Sequence, residues 1–128
     1  MVYIYPATIC ERNGTFYAAV PDIPGCVTTG WSKSDASNQI ADALAACLCA
    51  LEDLGAFIPP ASTPYGIPHG PEDLCVLIRV DTASFREMTD PRTVRKTVSI
   101  PAWMANRADQ LGIDYSKVLQ DALLRQLT

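Results

Sequence analysis

The chain begins with a run in which apolar side chains recur at every second residue, the pattern of a half-buried β-strand. In VYIYPATIC one face carries Tyr3, Tyr5, Ala7 and Ile9. Pro6 within this run predicts an edge position or a bulge, because proline donates no hydrogen bond to a strand ladder. Asn13-Gly14 is a strong hairpin signal. We therefore predict TFYAAV as the return strand and CVTTGW as a third strand.

Beyond Trp31 the apolar positions follow a helical period instead. We predict one long helix that begins at Ser34, carries Asp35 in its first turn and ends at Gly55. Its apolar stripe consists of Ile40, Leu44, Cys47, Leu48, Leu51 and Leu54. The nearly continuous apolar run LCVLIRV at residues 74–80 predicts a strand that is central in its sheet or covered on both faces.

Segments rich in breakers or polar residues divide the chain into parts. Five prolines between Phe57 and Pro71 predict an exposed connector. The polar residues 83–93 lack a sustained period, and we predict a linker there. The order strand-strand-strand-helix-strand over residues 1–82 then predicts an α+β layer in which one long helix packs on one sheet.

Residues 94–128 follow a separate pattern of strand, helix, tight turn and helix. In VRKTVSI one face of the strand carries Arg95, Thr97 and Ser99, while the other face is largely apolar. Both helices have apolar stripes, and Asp114 is a suitable cap for the second. Such a small segment cannot bury this apolar surface alone. We therefore predict a homodimer in which two strands pair and four helices enclose one core.

The outer face of that two-stranded ribbon would display Arg95, Thr97 and Ser99 from each chain. A two-stranded ribbon fits the major groove of B-DNA, and these residue types hydrogen-bond base edges. Through RKTVSIP and GIDYSKVLQDAL the tail resembles the ribbon-helix-helix family of DNA-binding dimers. The resemblance implies a DNA phosphate at the N-terminus of the second helix, where free amides favour an anion. The implied clamp consists of Asp114, Tyr115 and Ser116.

Charge and cysteine content narrow the classes of function. Residues 1–90 hold 11 acidic and 4 basic side chains, a net charge of −7, whereas residues 91–128 have a net charge of +3. An acidic body with a basic tail indicates two different partners. Five cysteines without a CxxC pair, and the single histidine His69, predict no metal site, disulfide framework or cofactor. Without a run of ~18 apolar residues or a signal region, we expect a cytoplasmic protein with no membrane partner.

The body resembles the HicB antitoxins of bacterial toxin-antitoxin pairs. The resemblance is carried by YPATI, FYAAVPDIPGC, TTGWSKSDASNQIADAL, GAFIPP and VLIRVD. It implies a partial RNase H-like body that binds and blocks a small basic HicA-like toxin, a ribonuclease that cleaves mRNA. The dimeric tail is then implied to bind operator DNA and repress the operon. An acidic body fits a basic partner. Whether the dimers associate further stays open.

Other functions are to be weighed against the antitoxin hypothesis. Asp22, in PDIPGC, is either a turn residue whose carboxylate accepts backbone N–H groups or a contact to the toxin. A ribbon-helix-helix repressor whose body senses a small ligand is the main alternative. A metal-dependent nuclease would need several convergent carboxylates, and few lie on the predicted strands. We therefore expect no catalytic residues and no enzyme activity.

Overall fold

Four antiparallel strands form one sheet in the computed structural model, which describes residues 1–127. The strands are β1 (Val2–Arg12), β2 (Thr15–Ala19), β3 (Val27–Gly30) and β4 (Leu74–Asp81), in the spatial order β3-β2-β1-β4. The helices are α1 (Lys33–Leu54), α2 (Thr82–Thr89), α3 (Ala102–Gln110) and α4 (Tyr115–Leu127), with a short 3-10 turn at Pro64–Gly66. The predicted order of three strands, a long helix and a fourth strand is confirmed.

The chain divides into two compact units. The first, which we call the body, is Met1–Thr89, and the second, the tail unit, begins at Asp90. The core of the body lies between the sheet and α1. Its most deeply buried apolar side chains come from both layers, including Tyr5, Ala7, Ile9, Ile40, Leu44 and Leu48. The alternation predicted along β1 therefore identifies the face that α1 covers.

Pro6 occupies an unusual place in β1, because the strand is central in the sheet rather than at its edge. The pairing explains how proline is accommodated: β1 pairs with β4 from Val2 to Ile9, but with β2 only from Thr8 to Arg12. Pro6 thus lies where β1 has a neighbour on one side only. The predicted hairpin is confirmed, since Asn13 and Gly14 both have positive φ, 53° and 79°.

The helix α1 is bounded by residues suited to its ends. The Asp35 N–H donates to Ser32 Oγ at 3.0 Å, and the Asp35 carboxylate accepts from the Trp31 N–H at 2.9 Å. These bonds satisfy backbone donors at the start of the helix, two residues upstream of the predicted cap. Gly55, at φ 62°, ends the helix as predicted. The predicted stripe is wrong at its last position, because Leu54 is 79% exposed.

The close approach of β3 to α1 requires a glycine. A Cβ at Gly30 would lie 2.4 Å from the Ala36 nitrogen and 2.7 Å from its Cα. Both are backbone atoms of the first helical turns, so neither can move aside without shifting α1. Gly30 therefore sets how closely the start of α1 packs on the third strand.

The strand β4 corrects the expectation from its apolar run. It lies at an edge of the sheet, and Leu77 is 60% exposed, whereas Ile78 and Val80 face the core. A continuous apolar run does not distinguish a doubly covered strand from one that exposes alternate side chains. The 3-10 turn contacts part of the outer face of β4. The Cys75 thiol on β4 lies 4.0 Å from the carbonyl oxygen of Pro64 in this turn.

The predicted linker at residues 83–93 is wrong over its first half, because residues 82–89 form α2. The Asp81 carboxylate accepts from the Ala83 N–H at 3.1 Å and begins this helix. Phe85 packs against the core, and Arg86 forms an ion pair with Glu52 at 3.2 Å. Two turns are too short for a periodic signal in the sequence, so α2 is held by tertiary contacts that the sequence pattern does not reveal.

The tail unit contains both predicted helices but not the predicted strand. Residues 90–101 have no regular secondary structure in the single chain. A strand needs a hydrogen-bonded neighbour, and for the predicted ribbon that neighbour belongs to a second copy. The turn between α3 and α4 is as predicted, with Gly112 at φ 65° and the Asp114 carboxylate accepting from the Lys117 N–H at 3.2 Å.

Candidate protein and nucleic-acid interfaces

The tail unit exposes the apolar faces of its own helices. No described residue of α3 or α4 is buried. Exposed apolar side chains include Ile100 (44%), Met104 (42%), Leu111 (63%), Val118 (55%), Leu119 (39%) and Leu123 (49%). Apolar side chains at helical spacing form a continuous face rather than scattered positions, and a face of this kind marks an interaction surface.

The predicted base-reading residues precede that helical pair. Arg95, Thr97 and Ser99 are exposed and lie within the stretch that has no regular structure. Val98 and Ile100 alternate with them and are 62% and 44% exposed. The alternation needed for a two-faced ribbon is therefore present, while the ladder itself is not formed in one chain.

The predicted phosphate clamp lies at the start of α4. The Asp114 carboxylate is engaged as the helix cap, and Ser116 is exposed in the first turn. The Tyr115 hydroxyl donates to the Asp109 carboxylate and lies 3.1 Å from the Ala105 carbonyl oxygen. The bond to Asp109 raises the pKa of Tyr115. Sequence proximity brings the three residues together, but the Tyr115 hydroxyl already has a partner on α3.

Asp22 joins two loops of the body. Its carboxylate accepts from the Ser62 N–H at 2.8 Å and from the Ser62 hydroxyl at 2.6 Å. The acceptor role expected of Asp22 is present, but the donor comes from the proline-rich connector rather than from a local turn. Asp22 is half-buried, so part of its surface stays accessible to a partner.

A polar cluster that the sequence does not indicate fastens α2 to α1 and β1. The Glu52 carboxylate accepts from Tyr3 at 2.9 Å and from Thr82 and Arg86 at 3.2 Å each. Burial alone would raise the pKa of Glu52, but these donors outweigh it and the pKa is lowered. Burial and the bond to Glu52 raise the pKa of Tyr3 to about 12. The partners are 30 to 49 residues apart, beyond the reach of any local pattern.

The cysteines and acidic groups do not assemble into a reactive centre within the described part of the chain. All five cysteines are unpaired there; Cys26 and Cys49 are buried and the other three are half-buried. Burial raises the pKa of the Cys26 thiol to about 12, and such a thiol is a poor nucleophile. Among residues 1–127 no group of three or more His, Cys, Asp or Glu side chains could hold a metal ion.

A groove runs along the N-terminal half of β1. Its volume is about 640 Å³, and its lining consists of Met1–Tyr5 on one side and Ala56–Ala61 on the other. We call it the edge groove. Sequence analysis missed it because it depends on β2 ending before it reaches the first half of β1 and on the connector returning beside that strand. Separately, no helix described in the structure is long and apolar enough to cross a membrane.

The comparisons with known proteins agree with this architecture. A family model described as the HicB-like antitoxin of the bacterial toxin-antitoxin system matches residues 5–126. No curated protein matches the chain at a significant level.

Solved structures share the fold over nearly the whole chain. A toxin-antitoxin complex from Streptococcus pneumoniae has a TM-score of 0.62 at 18% identity, over 98% of this chain and 99% of that one. The Burkholderia pseudomallei antitoxin HicB has a TM-score of 0.56 at 24% identity, with the same coverage. The HicA3 and HicB3 complex has a TM-score of 0.51 at 27% identity, over 62% of this chain and 99% of that chain. Since the family model spans almost every residue, the chain belongs to the HicB-like antitoxin family of bacterial toxin-antitoxin systems.

Proposed function

We propose that this antitoxin acts through two separable parts. The body binds and neutralises a HicA-like mRNA-cleaving toxin, and the tail unit forms a homodimer that binds operator DNA and represses the operon. The protein has no catalytic role of its own in this scheme. The observation that carries the proposal is that one chain combines two different units. The body is acidic and has its own hydrophobic core, whereas the tail unit is basic and exposes the apolar faces of its helices.

Toxin binding is supported by family membership and by the charge of the body. Two of the structural neighbours are toxin-antitoxin complexes, one of them named as HicA3 and HicB3. The net charge of −7 over residues 1–90 would speed association with a basic partner and disfavour acidic competitors. A partial RNase H-like arrangement of the body, expected from the sequence resemblance, is compatible with the four-stranded sheet and the helix packed on it.

Homodimerisation of the tail unit is supported by its exposed apolar surface. If residues 94–100 of two copies pair as antiparallel strands, Val94, Val98 and Ile100 turn toward the helices, and the opposite face is presented outward. That opposite face carries Arg95, Thr97 and Ser99 from each chain. The ribbon would supply the strand partner that residues 90–101 lack in the single chain, and the four helices would enclose one core.

Operator binding then follows from the two faces of the dimer. A two-stranded ribbon fits the major groove of B-DNA, and Arg95 is suited to a bidentate contact with guanine. The first amides of α4 offer donors to a DNA phosphate, with Ser116 beside them and Tyr115 already oriented by Asp109. Because Asp114 is used as the cap of α4, we expect the clamp to depend on amides and hydroxyls rather than on the acidic side chain.

Co-purification with the product of the neighbouring gene tests the toxin partner. We expect a stable complex with a small basic protein, measured by affinity purification followed by sizing of the complex. The alternative, a repressor that senses a small ligand, predicts a dimer that shifts its own promoter DNA and captures no protein. That second result would overturn the antitoxin assignment of the body while leaving the tail proposal intact.

Replacing Arg95 with alanine tests the base-reading face. We expect Arg95→Ala to weaken specific operator binding by ~1–3 kcal/mol and to relax base preference at one position, because a bidentate contact is lost. Fluorescence anisotropy on wild-type and single-base-changed operators measures both effects. Affinity should also fall as salt rises, since phosphate contacts release counterions.

Arg92→Ala is the matched control for that experiment. Arg92 has the same charge and lies three residues earlier, but its guanidinium is paired with Asp90 at 2.7 and 3.0 Å. We expect this variant to keep its base preference. Equal losses for both variants would indicate a general effect of charge, and an unchanged Arg95→Ala affinity would remove Arg95 from the reading face.

A further inference from the structure

The first half of β1 has an open backbone edge. Residues 2–7 pair with β4 on one side, but the β2 ladder starts only at Thr8. Within the described chain no backbone hydrogen bond joins this edge to the facing segment 56–61. An edge that is open within a folded sheet can accept an added strand.

The position of Pro6 indicates which amides face the open edge. The β1–β4 pairing is continuous from Val2 to Ile9, and proline fits such a ladder where its nitrogen points away from the neighbour. Backbone polar groups in an antiparallel strand alternate between the two sides. By this period of two, Ile4 directs its N–H and C=O toward the open edge. The edge therefore offers the donor and acceptor of Ile4 and the carbonyl of Pro6.

The far wall of the edge groove is held in place. The Tyr5 hydroxyl donates to the Pro59 carbonyl oxygen, and both Ser62 donors are bound by Asp22. Ile58 packs against the core. Phe57 projects from the same segment and is 79% exposed. A preformed wall with an exposed aromatic side chain lowers the ordering cost of binding a peptide.

The surroundings of the groove are acidic. Asp22 stands beside its proline wall and has no ion-pair partner among residues 1–127. Asp53, three residues before the segment 56–61 begins, is 66% exposed. The two cations nearby each form an ion pair with a carboxylate. The N-terminal ammonium group of Met1 lies 3.7 Å from Asp81, and the Arg86 guanidinium lies 2.9 Å from Asp53. A segment that carries positive charge is the complement of this site.

We propose that the edge groove is the toxin-binding site and that it takes an extended, basic segment of the toxin as a strand added to β1. The inference rests on the proposed function and assigns it to a particular surface. Main-chain hydrogen bonds at Ile4 and Pro6 supply the pairing, Phe57 covers alternate side chains of the incoming strand, and Asp22 selects for basic residues. A second copy of the body is disfavoured in the groove because residues 1–89 hold 10 acidic and 4 basic side chains, a net charge of −6 on each body.

The test measures toxin affinity of full-length variants by isothermal titration calorimetry. Ile4→Pro removes the outward N–H, and Ile4→Ala removes the same side chain but keeps that donor. Phe57→Lys introduces a positive charge into the groove at a position that is exposed to solvent. Val27→Lys is its control, since Val27 is 66% exposed on the strand at the opposite edge of the sheet.

We expect Ile4→Pro and Phe57→Lys each to weaken toxin binding by about tenfold or more, the equivalent of ~1.4 kcal/mol. Ile4→Ala should bind more tightly than Ile4→Pro, and Val27→Lys should bind like the unsubstituted chain. Amide hydrogen exchange at residue 4 should slow when toxin binds, which a merely structural role of the groove would not produce. If Ile4→Pro does not fold, the exposed Phe57→Lys variant and the exchange measurement still decide the question.

The outcomes separate this inference from the proposed function. Tight toxin binding by the unsubstituted chain, with unchanged affinity of Phe57→Lys and unchanged exchange at residue 4, overturns the groove assignment alone. No toxin binding by the unsubstituted chain overturns the proposed function and this inference with it. If Phe57→Lys instead reduces the size of the toxin-free protein in solution, a second copy occupies the groove and the proposal is wrong.

Discussion

Leu48→Ala is expected to lower the free energy of unfolding of the body by ~2–5 kcal/mol. Leu48 is fully buried on the face of α1 that packs against the sheet. Truncation removes its contacts and leaves a cavity, because the sheet on one side and the rest of α1 on the other cannot collapse into the space. Chemical denaturation followed by circular dichroism measures the change. A loss of this size is a large fraction of the stability of a small domain.

Leu54→Ala is the matched control. It is the same substitution in the same helix, and the sequence pattern places both leucines on one apolar stripe. Because Leu54 is 79% exposed, we expect its replacement to change stability by less than ~0.5 kcal/mol. Equal losses for the two variants would contradict the packing of α1 described above.

The contrast between these leucines shows how far the sequence determines the fold. The period of α1 identifies its buried face correctly through Leu48, since one stripe of a helix must meet the sheet. The period does not show which positions of the stripe are covered, and Leu54 is exposed although it belongs to the same stripe. The same limit applies to β4, whose apolar run does not show that Leu77 is exposed. Patterns identify elements and faces, whereas coverage depends on which other parts of the folded chain pack against them.

The candidate interfaces divide in a similar way. The tail face could be predicted because alternate residues of VRKTVSI and the two helical stripes are local signals. The edge groove could not be predicted from the sequence. It results from the unequal lengths of β1 and β2 and from the way residues 56–61 run beside the first half of β1. The hydrogen bonds that Tyr3 and Arg86 donate to Glu52 could not be predicted either. Such contacts join residues far apart in sequence, and only the folded chain brings them together.

The predicted ribbon illustrates a third kind of limit. Its sequence has strand character, yet residues 90–101 have no regular structure in one chain. The hydrogen bonds of a two-stranded ribbon belong to the pair of chains, so a strand of this kind is a property of the assembly. The apolar side chains of the helices that stay exposed in one chain, such as Val118 and Leu119, support the proposed dimer.

Deleting residues 94–128 is expected to abolish operator binding and leave toxin binding within about threefold of the full chain, a difference below ~1 kcal/mol. The body has its own core between the sheet and α1, and α2 is retained in full. The remaining residues 1–93 hold 11 acidic and 5 basic side chains, a net charge of −6. Such a surface repels a polyanion, so no residual DNA binding is expected.

Both activities should be measured on the same preparation, by calorimetry with the toxin and by anisotropy with operator DNA. Toxin binding then serves as the internal control for folding of the truncated chain. Retained operator binding would refute the assignment of DNA recognition to the tail unit. Loss of both activities in a chain that still melts cooperatively would mean that toxin capture needs the dimer, because a single body would then be insufficient even with its core intact.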